Sequence, residues 1–140
     1  MQNERWADAP DAVRRVVFLT IAVLGYGTLV HVTQILAGGW NPYPSMPVWL
    51  STYFVALTVL DPLAAVLMLL RRQAGLVLAC AVLVSDAAAN GYAHYVVDAS
   101  VGVTAGRVGH GVITLMALAL LLVTPRLWPW LRTDAKDRSS

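Results

Sequence analysis

Two aspartates lie deep within apolar stretches of this 140-residue chain. Asp61 and Asp86 have mainly aliphatic neighbours in the sequence, whereas the other charges lie near the ends of such stretches. A carboxylate costs free energy in hydrocarbon, so an ionisable residue in such a segment is by default a functional candidate. We therefore predict that Asp86 and Asp61 are the catalytic or proton-donating groups of any reaction that this protein performs.

Further polar residues share the helical faces of these aspartates. Asn90 and His94 follow Asp86 at steps of four residues, and each such step turns only ~40° around a helix. The same phase argument selects one polar face on every apolar segment, which is typical of helix contacts in membranes. We predict five ligand-binding residues on these inward faces: His31, Gln34, Thr58, Asn90 and His110.

Two of the histidines permit a second interpretation. At a rise of about 1.5 Å per residue, His31 and His110 both come out at ~24 Å from the arginines that flank their segments. Facing each other in a bundle, they could hold haem axially, or a metal together with Asp86. Single histidines at helix contacts usually hydrogen-bond across the bundle instead. We therefore predict no cofactor and no metal, and keep a redox subunit with His31 and His110 as ligands as the alternative.

Four apolar segments must position these residues. The chain is 58% hydrophobic and 13% charged, against about 25% charged residues in soluble domains. A helix needs about 20 apolar residues to cross the ~30 Å core of a bilayer, and lipid admits only helices and closed barrels. We predict an all-α integral membrane four-helix bundle with antiparallel, up-down topology and spans at about 13–37, 46–70, 74–97 and 106–125.

Arginines orient this bundle. They precede the first span, separate the second from the third and follow the fourth, whereas only Arg107 lies on the opposite side. By the positive-inside rule, both termini are expected in the cytoplasm and the protein in the plasma membrane. Residues 1–12 would form a cytoplasmic segment before the membrane domain of residues 13–132, and residues 133–140 a disordered tail. Nine of the ten basic residues are arginine, which suits a bacterial source.

The loop between the first two spans is rich in turn residues. It contains three prolines within residues 38–47 and is either a lid over the bundle or a compact connector. We favour the connector. Its aromatic residues Trp40 and Tyr43 are expected to form an outer interfacial belt together with Trp49.

The polar faces predict a cleft that opens outward, above a closed apolar half on the cytoplasmic side. Our leading hypothesis is that this cleft binds a small or lipid-like molecule. Proton transfer, with Asp86 as acid and a histidine as base, is the chemistry such groups support, but whether the protein is an enzyme is left open. The alternatives are the redox subunit and a non-catalytic accessory or assembly subunit.

Several other functions lack their sequence signatures. The chain has no glycine-rich phosphate loop, no GxSxG elbow and no HExxH motif, and its single Cys80 rules out an internal disulfide. The basic residues do not form a patch, so we predict no nucleic-acid partner. Expected partners are membrane lipid and the ligand itself, and a homo-oligomer or larger membrane complex is compatible with the sequence.

Overall fold

Helices make up almost the entire described structure. We analysed a computed structural model, which describes residues 6–98 and 100–132; 81% of that part is helical and none of it is strand. Each of the four main helices is long and apolar enough to cross a membrane, which confirms the prediction of four apolar spans. The predicted disordered tail lies outside the described residues. The helices are α1 (Asp11–Gly38), α2 (Val48–Leu69), α3 (Gln73–Tyr92) and α4 (Ala105–Leu127).

The third and fourth helices change their hydrogen-bonding pattern at their ends. A π-helical turn, Ala93–Val97, continues α3, and a 3-10 turn, Trp128–Trp130, follows α4. A π turn holds more residues than an α turn, so the side chains within it point in directions that an unbroken α-helix would not give. His94 lies in this turn, four residues after Asn90.

The helices pack mainly with their neighbours in the chain. Extensive contacts join α1 to α2, α2 to α3 and α3 to α4, whereas α1 and α4 touch only sparsely. The second and third helices approach closely at Gly75, where an added Cβ would lie 2.5 Å from the carbonyl carbon of Leu67. Only glycine permits this approach. The bundle is therefore tight along three of its contacts and open along the fourth.

One half of the bundle has a tightly packed apolar core. Val17, Ala64, Met68 and Leu76 are completely buried there. The hydroxyl of the buried Thr20 donates to the carbonyl oxygen of its own helix four residues earlier, at 2.9 Å, so it leaves no unpaired donor. This half holds no buried charge among the described residues.

Three chain segments meet at the end of this apolar half, around Arg71. Its Nε donates to the carbonyl oxygen of Trp130 at 2.9 Å, and its Nη1 contacts Asp8 Oδ1 at 2.7 Å. Its guanidinium also lies over the ring of Trp6, at 4.9 Å from the centroid. The hydrogen bond from Arg71 lowers the pKa of the Asp8 carboxyl. We call this region the arginine end and the opposite one, where residues 39–47 and 100–104 lie, the loop end.

Candidate functional site

A cleft of about 530 Å³ lies in the half of the bundle towards the loop end. All four helices line it, and most of its lining is apolar. Because α1 and α4 make so little contact, the cleft opens between them, beside the exposed side chains of Tyr26 and Val112. The polar residues that line it include His31, Gln34, Tyr43, Asp61, Asp86, Asn90 and His94.

Two carboxyl groups reach this cleft from adjacent helices. Asp61 of α2 and Asp86 of α3 are only 4% and 8% exposed. The amide nitrogen of Asn90 donates to Asp86 Oδ1 at 2.8 Å and to the Asp86 carbonyl oxygen at 3.1 Å, which holds that carboxyl in place. The structure thus brings both predicted catalytic residues and the predicted Asn90 to one site.

Unlike the Asp86 carboxyl, the Asp61 carboxyl is not held by a neighbouring amide. It has no hydrogen bond to another described side chain, and it lies against the backbone of Gly27 in α1. A Cβ added to Gly27 would lie only 2.6 Å from Asp61 Oδ2. The missing side chain at position 27 therefore provides the space that this carboxyl occupies.

The first interhelical loop contributes a buried side chain to the cleft. Tyr43 is 7% exposed, and its hydroxyl donates to Gln34 Oε1 at 2.6 Å and lies 3.3 Å from His31 Nδ1. Its ring packs on Phe54, which also stacks on His31 with centroids 5.7 Å apart. Burial raises the pKa of Tyr43 to about 12.

The interpretation of Tyr43 as an exposed belt residue is therefore wrong. Trp40 is fully exposed, as expected for such a belt, but the loop turns Tyr43 inward. Gly39, with φ +61°, begins this turn, and Pro42 and Pro44 restrict the backbone on either side of Tyr43. A tyrosine held between two prolines was the available sign that its direction is set by the loop rather than by the membrane surface. The loop does more than connect two helices, because one of its side chains covers part of the cleft.

Two of the predicted ligand-binding residues do not line the cleft. The hydroxyl of Thr58 donates to the carbonyl oxygen of Val55 at 2.7 Å, within α2. His110 packs between α3 and α4, against Gly91 and with its ring 5.5 Å from that of Tyr95. Its Nδ1 is buried without a hydrogen-bond partner in the described structure. The ligand-binding roles of Thr58 and His110 remain predictions, and the positions of these residues do not support them.

The placement of His110 bears on the haem or metal alternative. His31 lies in the wall of the cleft beside α2, whereas His110 fills a contact between α3 and α4. Within residues 6–98 and 100–132, no three side chains of His, Cys, Asp or Glu come together in a way that could hold a metal ion. The residues present therefore do not fit the predicted alternative of a group shared by these two histidines.

His94 lies at the loop end of the cleft. Its ring contacts Gly106 of α4, and a Cβ at that position would overlap the ring. Arg107 donates to the carbonyl oxygen of His94 at 3.1 Å through Nη2. The close approach of α3 to α4 at Gly106 therefore fixes this histidine between the two helices.

The chain has no match among protein-family models, curated proteins or solved structures.

Proposed function

We propose that this small multi-pass membrane protein binds a small or lipid-like molecule in the cleft between α1 and α4. One observation carries the proposal: an apolar cavity of about 530 Å³ in which two carboxyl groups converge with other polar side chains. Sites for small molecules are typically mostly apolar, with a volume of ~300–1,000 Å³ and a few placed polar groups. The apolar part of the ligand would face α1 and α4, and its polar part would face Asp61 and Asp86.

Access from the lipid follows from the packing. The arginine end is closed by buried apolar side chains and by the contacts of Arg71, whereas the α1–α4 side has few contacts. We propose that the ligand enters sideways from the bilayer, with Tyr43 covering the cleft at the loop end. The arginines support an antiparallel arrangement in a plasma membrane with both termini in the cytoplasm.

Proton transfer is the reaction that these groups support if the ligand is a substrate. Asp86 is held by Asn90 and supplies the acid, and His31 lines the same cleft and supplies a base. Asp61, without a hydrogen-bond partner among the described side chains, is the second carboxyl available to the ligand. Binding is the primary proposal, and it stands whether or not a reaction follows.

A pair of glycine variants tests this proposal. Gly109 lines the cleft, whereas Gly111 is exposed and does not, and a Cβ at either position would meet no atom within 4 Å. Gly109→Leu should therefore fill the cleft without disturbing the fold, and Gly111→Leu should only add a lipid-facing side chain. Native mass spectrometry of protein purified from its own membrane should show a retained small molecule in the wild type and in Gly111→Leu but not in Gly109→Leu.

The proposal fails if the wild type retains no small molecule under conditions that preserve bound lipid. It also fails if Gly109→Leu retains the same molecule to the same extent. Size-exclusion profiles and helical circular dichroism of the two variants provide the matched check on folding.

A further inference from the structure

The hydrogen bonds around Tyr43 determine which protons are left for a ligand. Tyr43 has one hydroxyl proton, which it donates to Gln34 Oε1 at 2.6 Å. The contact of His31 Nδ1 with the same hydroxyl, at 3.3 Å, therefore requires an N–H on Nδ1. In a neutral imidazole, this leaves Nε2 of His31 as an acceptor.

The hydrogen bonds of Asn90 likewise determine which of its atoms are left for a ligand. Its amide N–H groups are directed to the carboxyl and carbonyl oxygens of Asp86, which leaves its Oδ1 as an acceptor. Asp61 adds a carboxyl group without a hydrogen-bond partner among the described side chains. Gln34 retains N–H donors, but acceptors outnumber donors in this cleft. The complementary ligand is rich in N–H or O–H donors.

The charged residues of the cleft also favour a ligand that donates hydrogen bonds. No lysine or arginine is among its described lining residues. The nearest arginine in the fourth helix, Arg107, directs its guanidinium to the carbonyl oxygens of His94, Ser100 and Gly102. An ionised Asp61 carboxyl would face this mostly apolar cleft without a positive charge among the described lining residues, and a cation supplied by the ligand would offset its desolvation cost.

The size and lining of the cleft indicate an organic cation rather than a metal ion. About 530 Å³ is far more space than an inorganic cation occupies, and most of the wall is apolar. Phe54 and Tyr43 add aromatic surface within the same cleft, which is favourable for an ammonium group. An apolar tail would extend through the open side between α1 and α4.

We infer that the ligand of the cleft is an amphiphile with a protonated amine, whose ammonium group is held between Asp61 and Asp86. This inference rests on the proposed function and specifies its ligand class. It assigns Asp61 and Asp86 to recognition of the head group, and it assigns the apolar walls of α1 and α4 to the tail.

The test uses two probes of equal chain length. The full-length protein is placed in phosphatidylcholine nanodiscs, and equal amounts of dodecylamine or 1-dodecanol are added. Bound probe is counted by native mass spectrometry, with empty nanodiscs as the reference for partitioning into lipid. Wild type is expected to retain dodecylamine over dodecanol by about tenfold or more, the ratio that one charge-assisted hydrogen bond provides.

Single carboxyl variants identify the groups responsible. Asp61→Asn and Asp86→Asn keep the size of the side chain and remove its charge, and each is expected to reduce dodecylamine retention by about tenfold. Asp98→Asn is the matched control, because Asp98 lies in the exposed loop and bonds only locally to Ser100. It should retain the amine as the wild type does.

Three results would overturn the inference. Equal retention of amine and alcohol, with both lost in Gly109→Leu, would show a cleft that binds amphiphiles without preferring an amine, and the proposed function would stand. If the wild type retains neither probe, the inference that the ligand is an amine is rejected. The proposed function is then decided separately, by whether the Gly109→Leu and Gly111→Leu variants retain the co-purified ligand. Unchanged amine retention in both Asp61→Asn and Asp86→Asn would also reject it. The comparison of amine with alcohol needs no variant, so misfolding cannot conceal the answer.

Discussion

Replacing Gly27 with alanine should disturb Asp61 and little else. The new Cβ would lie 2.6 Å from Asp61 Oδ2, whereas Cβ contacts below 3.0 Å essentially never occur and ordinary contact begins at 3.4 Å. The carboxyl oxygen must therefore move by between 0.4 and 0.8 Å to restore an acceptable contact. It can do so only by turning further into the cleft or by pushing α1 and α2 apart.

The free-energy cost of Gly27→Ala depends on whether the carboxyl rotates or the two helices separate. An off-rotamer side chain costs ~0.5–1.5 kcal/mol, and overpacking costs ~1–3 kcal/mol. The cleft offers room on one side of the carboxyl, so we expect a cost of about 1–2 kcal/mol from the contact. Against this, alanine is favoured over glycine within a helix by ~0.8–1.0 kcal/mol.

Gly25 provides the control for helix propensity. It lies in the same helix two residues earlier, and a Cβ there would meet nothing within 4 Å. Gly25→Ala should stabilise the protein by about 1 kcal/mol, whereas Gly27→Ala should be less stable than Gly25→Ala by about 1–2 kcal/mol. Unfolding by dodecyl sulfate in mixed micelles, followed by circular dichroism, measures both values.

A double-mutant cycle then tests the cause. In an Asp61→Ala background the carboxyl is absent, so Gly27→Ala and Gly25→Ala should have the same effect on the free energy of unfolding. Equal stabilities of the two alanine variants in the wild-type background would refute the reasoning. A difference that persists without the Asp61 carboxyl would refute it as well.

Three further predictions concern residues outside the cleft centre or at its cover. Burial raises the pKa of Tyr43 to about 12 from its usual 10, so its contribution to stability is complete below pH 10 and is lost as pH rises through about 12. In an absorbance titration at alkaline pH, Tyr43→Phe should reduce the late phase by the amplitude of one tyrosine, and an unchanged late phase would contradict this. The hydrogen bond from Arg71 lowers the pKa of Asp8, so the contribution of this ion pair to stability is present above the usual pKa of 3.8 and is lost as pH falls through the lowered pKa. Amide exchange in residues 6–10 should accelerate in that acidic range. Asp8→Asn lacks the ion pair and should show fast exchange at every pH. Gly75→Ala should destabilise the protein by about 1–3 kcal/mol, because the added Cβ meets backbone atoms of Leu67 that cannot rotate away. A free energy of unfolding equal to that of the wild type in the same assay would reject this prediction.

Apolar length and flanking residues were sufficient to predict the helices. The predicted spans begin and end within two residues of the helices and of the π turn that extends α3. A segment of about 20 apolar residues with charged or turn residues on both sides has few alternatives, because lipid leaves no solvent for unpaired backbone groups. The π turn itself was not predicted, since residues 92–98 contain no proline or glycine that marks it.

Helical phase predicted the inward side chains only where one helix decides their direction. Asp61, Asp86 and His31 are buried as their phase required. Depth and phase together also suggested that His110 faces His31, but they do not determine how α4 is rotated against α3. Gly91 determines that rotation, because the His110 ring fits against its missing side chain.

The cover of the cleft could not be obtained from periodicity at all. Tyr43 lies outside any helix, and its burial depends on a turn at Gly39 and on acceptors supplied by Gln34 of another segment. Contacts of this kind form between parts of the chain that no local pattern relates. They explain why the carboxyl pair was found from sequence and its aromatic neighbour was not.

The order in which the helices contact each other has a consequence for synthesis. Each helix packs on the one made just before it, so every new span finds its main partner already in the bilayer. The α2–α3 hairpin, and with it the carboxyl pair, can form before the fourth span has left the ribosome. The contacts of Arg71 with Trp130 and of Gln73 with Arg132 must wait until the segment that follows α4 has been made. The segment that follows α4 therefore joins the middle of the chain at the arginine end, after the α2–α3 part of the cleft can already have formed.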